Sequence, residues 1–335
     1  MSPGHRPPTI LVDASDIHRP SGGRTAVLEL FRALLTREAE NATDWRYLFM
    51  VSRREPDFEL PNVRQIVLPF RRLAGRVPRP LERLWIQGVV SYLALTGQVD
   101  LVHFSRTMGG FARPARNVLT VFDLTTVLRP ELHSRSAVWY WRHVVPLHLR
   151  QADRVVAISR DVADGLVRHY GLPPAKIDVV YCAPQSILQG PATEDEIDRV
   201  RHKHGLPSGY LLFLGILAKK KNLPTVIHAL HRLKSEGLAV PPLVLAGRRY
   251  RQSDDSAILA EIEDLGLSGD VRYLGPVEQE DLPGLYGGAR ALLFPSLHEG
   301  FGIPCLEAMK CGVPVVAARS GAIPEVVGDG AILVD

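Results

Sequence analysis

Ser296-Leu297-His298-Glu299-Gly300-Phe301-Gly302-Ile303-Pro304-Cys305-Leu306-Glu307-Ala308-Met309 follows the apolar run Ala291-Leu292-Leu293-Phe294, which Pro295 closes. The apolar run predicts a strand. Pro304 suits the first turn of a helix, and Gly312 lies just past its end. The segment therefore reads strand, glycine loop, helix. Such a segment aims backbone N–H groups and a positive helix terminus at one point, which favours an anion such as phosphate. Glu299 stands before the glycines and Glu307 inside the helix, so two carboxylates bracket the loop. Carboxylates repel phosphate but accept hydrogen bonds from hydroxyls. An anion cradle between hydroxyl acceptors suits a sugar nucleotide; the plainer reading is a solvated glycine loop with two surface acids.

The same rhythm extends outward. In the second half, apolar runs at 210–214, 243–246, 271–274, 291–294, 313–317 and 331–334 predict strands with helices between them. In the first half, strands are predicted at 9–12, 47–51, 63–68, 101–104, 118–121, 155–158 and 177–180, with helical patterns at about 25–35, 81–95, 137–151 and 159–169. Alternating strands and helices imply parallel, doubly wound sheets. The turn-rich stretch from Pro184 to Pro191 reads as a hinge, which sets domains at 1–184 and 185–335. Thr193 and Glu196 have the spacing of a capping box that opens the next helix.

Composition narrows the class. The chain has 335 residues, 46% hydrophobic and 23% charged, the profile of a globular protein with ordinary cores. A net charge of +4 suits anionic ligands without demanding nucleic acid, and no nucleic-acid motif is present. Three cysteines without a C-x-x-C pair argue against a disulfide framework and a structural zinc. With no apolar leader and no run of membrane-spanning length, a cytoplasmic protein is expected.

Further candidate sites lie at strand ends. Gly215 to Asn222 forms the first βα loop of the second half and carries Lys219, Lys220 and Lys221, with Asn222 placed as N-cap. It reads as a phosphate site or as a solvated lysine run. Gly22 and Gly23 read as a glycine loop before the first helix, either a tight turn or a place where a ligand meets the backbone. Asp123 follows the strand at 118–121 and reads either as a hydroxyl acceptor or as an Asx-turn residue. Arg64, Arg71, Arg72, Arg76, Arg79 and Arg83 stand against one acid, Glu82. They form a solvated loop and helix start or a face for anionic lipid.

Glu299 and Glu307 with seven residues between them, together with Phe294-Pro295-Ser296 before and Cys311-Gly312-x-Pro314-Val315-Val316 after, resemble the signature of retaining GT-B glycosyltransferases of the family 4 (group 1) type. The resemblance implies two Rossmann-like domains facing a cleft, with a nucleotide-sugar donor, GDP- or UDP-linked, on the second. It implies transfer of a hexose, with mannose the first guess, to a glycan or lipid-linked acceptor in cell-surface polysaccharide synthesis. Work on such acceptors would bring the enzyme to the inner membrane face, with the arginines of residues 64–83 as the contact.

Residue by residue, the resemblance implies that Lys220 and Lys221 neutralise the donor diphosphate, with Gly215 opening their loop. Gly300, Phe301 and Gly302 offer backbone donors, and Ile303 and Leu306 line the donor site beside them. Glu307 takes ribose hydroxyls and Glu299 the sugar. Arg248 lies near the base, and Gly22 and Gly23 face the diphosphate. Lys220 stands where many members carry Arg, and Phe122 stands where the family has a His before Asp123. Glu299 and Asp123 are the catalytic candidates. No Asp-x-Asp triple occurs, so neither a metal nor another cofactor is expected. The sequence stops at Asp335 just after a strand, where the family continues into a crossover helix that is expected to be missing here. The alternatives are a truncated or non-catalytic nucleotide-sugar-binding protein and a GT-B-type epimerase. A dinucleotide oxidoreductase is disfavoured because no G-x-G-x-x-G opens either half.

Overall fold

The computed structural model describes residues 6–15, 17–18, 22–41, 44–68, 79–105, 114–249 and 252–335. The chain divides into two compact units, Met1–Ala183 and Pro184–Asp335.

The first unit runs β1 (Thr9–Asp13), α1 (Gly22–Glu40), β2 (Arg46–Val51), β3 (Val63–Val67), α2 (Arg79–Leu95), β4 (Leu101–Phe104), β5 (Arg116–Val121), α3 (Thr125–Leu128), α4 (Arg135–His143), α5 (Val145–Gln151), β6 (Arg154–Ala157), α6 (Arg160–Tyr170) and β7 (Ile177–Val179). Its seven strands are all parallel, in the order β3-β2-β1-β4-β5-β6-β7. All five residues of β1 are buried, as expected of a central parallel strand covered on both faces. The edge strand β7 has two of its three residues exposed.

The second unit runs α7 (Glu194–His204), β8 (Tyr210–Leu214), α8 (Leu223–Ser235), β9 (Leu243–Ala246), α9 (Gln252–Asp264), β10 (Val271–Gly275), α10 (Leu282–Gly287), β11 (Ala289–Phe294), α11 (Ile303–Lys310), β12 (Val315–Ala318), α12 (Ile323–Val327) and β13 (Ile332–Val334). Its six strands are parallel, in the order β10-β9-β8-β11-β12-β13. Helices cover both faces. One core joins the sheet to Val200 of α7, Leu285 and Tyr286 of α10, Ala308 of α11 and Ile323 of α12. The other joins it to Ile227 of α8 and Ile262 of α9. Both units are thus doubly wound α/β folds, as the alternating pattern implies.

Every expected strand forms, with ends shifted by at most two residues. The capping box is present: Thr193 N donates to Glu196 at 2.8 Å, and Glu196 N to Thr193 Oγ1 at 3.3 Å. Two expectations fail. The helix expected over 137–151 is broken into α4 and α5, with Pro146 in the first turn of α5. Proline lacks the N–H that a continuous helix needs and its ring clashes with the preceding turn, although the apolar pattern runs straight across it. The Gly22-Gly23 loop is not a loop either: both glycines are the first residues of α1. The first four N–H groups of a helix need no intrahelical acceptor, so glycine is tolerated there and its loop signal misleads.

Candidate functional site

In each sheet the chain reverses direction of winding once. In the second unit this happens between β8 and β11, which lie side by side while their following helices leave to opposite flanks. The crevice outside the strand ends at such a point is where open α/β sheets bind ligands. The two loops that meet there are residues 215–222, after β8, and 295–302, after β11.

The first loop tightens into a 3-10 turn at Lys219–Lys221. Asn222 follows at the N-cap position of α8, but in the left-handed conformation (φ 52°), and its side chain accepts from Thr225 Oγ1 at 2.9 Å instead of capping the backbone. The second loop docks on the first through Leu297 N, which donates to Lys220 O at 2.8 Å. A third segment locks it from behind: Ala322 N donates to Glu299 O at 2.9 Å and Ser320 Oγ to Leu297 O at 2.6 Å. Gly321 sits so close here that a Cβ would lie 2.4 Å from Glu299 O. Gly302 (φ 101°) turns the chain into α11 in a conformation that side-chain-bearing residues rarely adopt.

These contacts bring Lys220, Lys221 and Glu299 together. Lys221 Nζ lies 2.6 Å from Glu299 Oε1, and Lys220 Nζ 3.6 Å from Oε2. Lys221 also stands over the Phe294 ring, 4.6 Å from its centroid. Burial alone would push the Glu299 carboxyl up. The Lys221 and Lys220 charges, with the hydrogen bond from Lys221, outweigh it and hold the group down at about 2. Glu299 is therefore ionised at neutral pH. Two ammonium groups and one carboxylate sum to one positive charge (2 − 1) beside the N-terminus of α11. That is an arrangement suited to a polyanion.

Glu307 is the fifth residue of the same helix and is 3% exposed. Its Oε1 accepts from Gln185 Nε2 at 2.9 Å, and its Oε2 from the Tyr286 hydroxyl at 2.8 Å. Sequence reasoning missed both partners. Tyr286 reads as one more apolar residue of α10, and Gln185 as hinge. Gly300, Phe301, Gly302 and Ile303 are buried, and Leu306 is half-buried. Gly215 N donates to Ala246 O at 2.9 Å, and Leu217 N to Arg248 O at 3.0 Å, so the β8 loop is also tied to the turn after β9 that carries Arg248. Burial pushes the Cys305 thiol up to about 12 and the Cys311 thiol to about 11, which makes both poor nucleophiles.

The remaining candidates belong to the first unit. Gly22 and Gly23 open α1. Asp123 Oδ1 accepts from Thr125 N at 3.1 Å, an Asx turn at the start of α3. Phe122 lines a small pocket, partly open to solvent, together with Phe31, His103, Thr120, Ile158 and Cys182. His103 Nε2 pairs with Thr120 Oγ1 at 2.8 Å, and burial pushes its pKa down to about 4, so the imidazole is neutral at pH 7. Arg71, Arg72 and Arg76 lie outside the described residues, as do the side chains of Arg79 and Arg83. Among the described residues, no helix is long and apolar enough to cross a membrane, and no group of three or more His, Cys, Asp or Glu residues could hold a metal ion.

Two family models match the chain: "Glycosyltransferase Family 4" over residues 20–183 and "Glycosyl transferases group 1" over residues 194–335. Among curated proteins, the O-antigen chain mannosyltransferase B of Escherichia coli is 35% identical over 226 residues, covering 67% of this chain and 58% of that protein. A D-inositol 3-phosphate glycosyltransferase of Streptomyces bingchenggensis is 33% identical over 254 residues, covering 73% of this chain and 52% of its own length. The chain thus spans little more than half the length of these relatives. Among solved structures, Anabaena Alr3699/HepE in complex with UDP-glucose superposes with a TM-score of 0.72 at 22% identity, covering 97% of this chain and 85% of that one. WaaG, a glycosyltransferase involved in lipopolysaccharide biosynthesis, gives a TM-score of 0.71 at 17% identity, covering 97% and 85%.

Proposed function

The chain belongs to the GT-B glycosyltransferases of the group 1 and family 4 type, and we propose that it transfers a hexose, mannose in the first instance, from a GDP- or UDP-sugar to a glycan or lipid-linked acceptor in polysaccharide synthesis. The observation that carries this reading is the convergence of Lys220, Lys221 and Glu299 on the N-terminus of α11 at the switch point of the second sheet. Mannosyl transfer is favoured by the similarity to the O-antigen chain mannosyltransferase B at 35% identity.

In the proposed reaction the bond from the sugar's anomeric carbon to the diphosphate oxygen breaks as a bond to the acceptor hydroxyl forms. The acceptor's proton leaves with the diphosphate. Retention places attack and departure on one face of the sugar. Lys220 and Lys221 neutralise charge as it develops on the leaving diphosphate, and the α11 terminus adds its dipole. Glu299, anionic and fixed by its lysines, accepts from sugar hydroxyls. Glu307 takes the ribose, Arg248 lies by the base, and Gly300, Phe301 and Gly302 supply backbone donors beside Ile303 and Leu306. Asp123, Gly22 and Gly23 are the candidate residues of the first unit. This scheme requires neither metal nor cofactor. The enzyme works in the cytoplasm, and the basic stretch 64–83 meets the anionic inner membrane face.

A thermal-shift series with GDP, UDP, ADP and their sugars, followed by assays of donor hydrolysis and transfer, tests the reading. At 100-fold over Kd a ligand adds about 2.7 kcal/mol of stability. No shift with any nucleotide defeats the donor-site assignment. A shift without hydrolysis or transfer favours a nucleotide-sugar-binding protein instead, a reading that Phe122 in place of His supports.

A further inference from the structure

Glu307 is held at both oxygens, and the two holds differ in kind. Tyr286 reaches Oε2 from inside the core of the second unit, where its side chain is fully buried. Gln185 reaches Oε1 from the connector, at the second position of that unit and 122 residues away in sequence. The orientation of Gln185 is set in turn. Gln279 Nε2 donates to Gln185 Oε1 at 2.6 Å, which turns the amide NH2 of Gln185 toward Glu307. A directed chain results, from Gln279 through Gln185 to Glu307, closed on the far side by Tyr286.

We propose that Gln185 is a positioning residue for the nucleotide ribose: it fixes the rotation of the Glu307 carboxylate so that both oxygens are oriented before a nucleotide arrives. The inference rests on the reading of Glu307 as the ribose acceptor. Its physical basis is that a carboxylate on a flexible Glu side chain gains most from being ordered in advance, since the ordering entropy is then not lost on binding. Tyr286 alone pins one oxygen and leaves rotation about that contact. Gln185 removes it. Hydrogen bonds to a charged group are stronger than neutral ones, so loss of this donor is felt at the ligand. Ribose recognition thereby depends on the first residues of the second unit as well as on α11.

The test compares GDP and UDP with their 2′,3′-dideoxy forms by calorimetry. The wild-type chain prefers the ribose nucleotide. Gln185→Ala binds it about tenfold more weakly while its affinity for the dideoxy form is unchanged. Gln185→Glu sets a second carboxylate against Glu307 and loses more at pH 7.5. On lowering the pH to 5.5 its ribose affinity recovers, because the introduced carboxyl, once protonated, donates again, whereas Gln185→Ala shows no recovery. A simple packing defect moves both nucleotide forms together and has no such pH response. If Glu307→Ala lowers affinity for the ribose form alone and Gln185→Ala leaves both forms unchanged, the Gln185 role is overturned and the Glu307 reading survives. If Glu307→Ala also fails to distinguish the two forms, or neither nucleotide binds, both readings fall.

Discussion

The two sheets share one strand order over six strands, with β7 an extra edge strand in the first, and differ in what lies at their strand ends. The order β3-β2-β1-β4 in the first is matched by β10-β9-β8-β11 in the second. In the second unit the crevice is charged, with Lys220 and Lys221 facing Glu299. In the first, the pocket at the ends of β4, β5 and β6 is walled by Phe31, Phe122 and Ile158, and its one histidine is held neutral. A doubly wound sheet provides a place for a ligand; the side chains at the switch point decide which ligand. On the proposed reading the charged crevice takes the diphosphate; in the apolar pocket a charge would be unpaired, which is costly to desolvate.

Breaking the charged crevice has the largest expected effect. Lys221→Ala leaves Glu299 buried with one distant cation at 3.6 Å. Removing one partner of a buried pair costs about 3–5 kcal/mol, read as a drop in urea midpoint. The same variant weakens GDP and UDP more than guanosine and uridine; equal weakening would count against a diphosphate contact.

Acid is the next probe. The Glu299 carboxyl sits at about 2 in the folded chain against an ordinary 4.5. A depressed carboxylate contributes stability above its unfolded value and loses it as pH falls. The contribution is therefore present above 4.5 and disappears between about 4.5 and 2. At about 1.36 kcal/mol per pKa unit the loss is about 3 kcal/mol. Urea titrations of wild type and Glu299→Gln at pH 6, 4 and 3 check it: their difference narrows across that window, and a constant difference would show the pairing to be overstated.

The smallest expected effect belongs to the apolar pocket and falls in a different window. His103 is neutral because burial depresses its pKa from 6.5 to about 4. The unfolded chain takes up the proton first, so stability falls as pH drops from about 6.5 to 4. His103 as a whole residue is only partly buried and lines a pocket partly open to solvent, which reduces the cost to about 1 kcal/mol. His103→Gln removes this slope and leaves the Glu299 window untouched, with urea midpoints at pH 7, 5.5 and 4.5 as the readout. The two units therefore report separately on the pH axis.

Much of this was legible before any coordinates. Strands such as 210–214 and 243–246 announce themselves as unbroken apolar runs because parallel strands are buried on both faces. The loop from Ser296 to Met309 declares its glycines and acids directly. What stayed hidden was pairing at a distance. Nothing in the local sequence of Glu307 points to Tyr286 or Gln185, since hydrogen-bond partners are chosen by the fold and not by spacing along the chain. Local signals also misled where context overrode them, as at Gly22 and Gly23 inside α1 and at Asn222, whose side chain meets Thr225. Pro146 is the opposite case: a clear breaker overlooked because the apolar pattern around it continued.

Neither sheet borrows a strand from the other half of the chain. The first sheet is complete at Val179, well before the second begins at Tyr210. On a ribosome adding about 5–20 residues per second, the first unit has been made in full while the second is still unmade, and synthesis from there to Asp335 takes on the order of 10–30 s. The apolar pocket is thus assembled on a nascent chain before the charged crevice exists. A defect in β1 to β7 would be exposed to chaperones and proteases through that whole interval, and one in β8 to β13 only from the time its own strands are made.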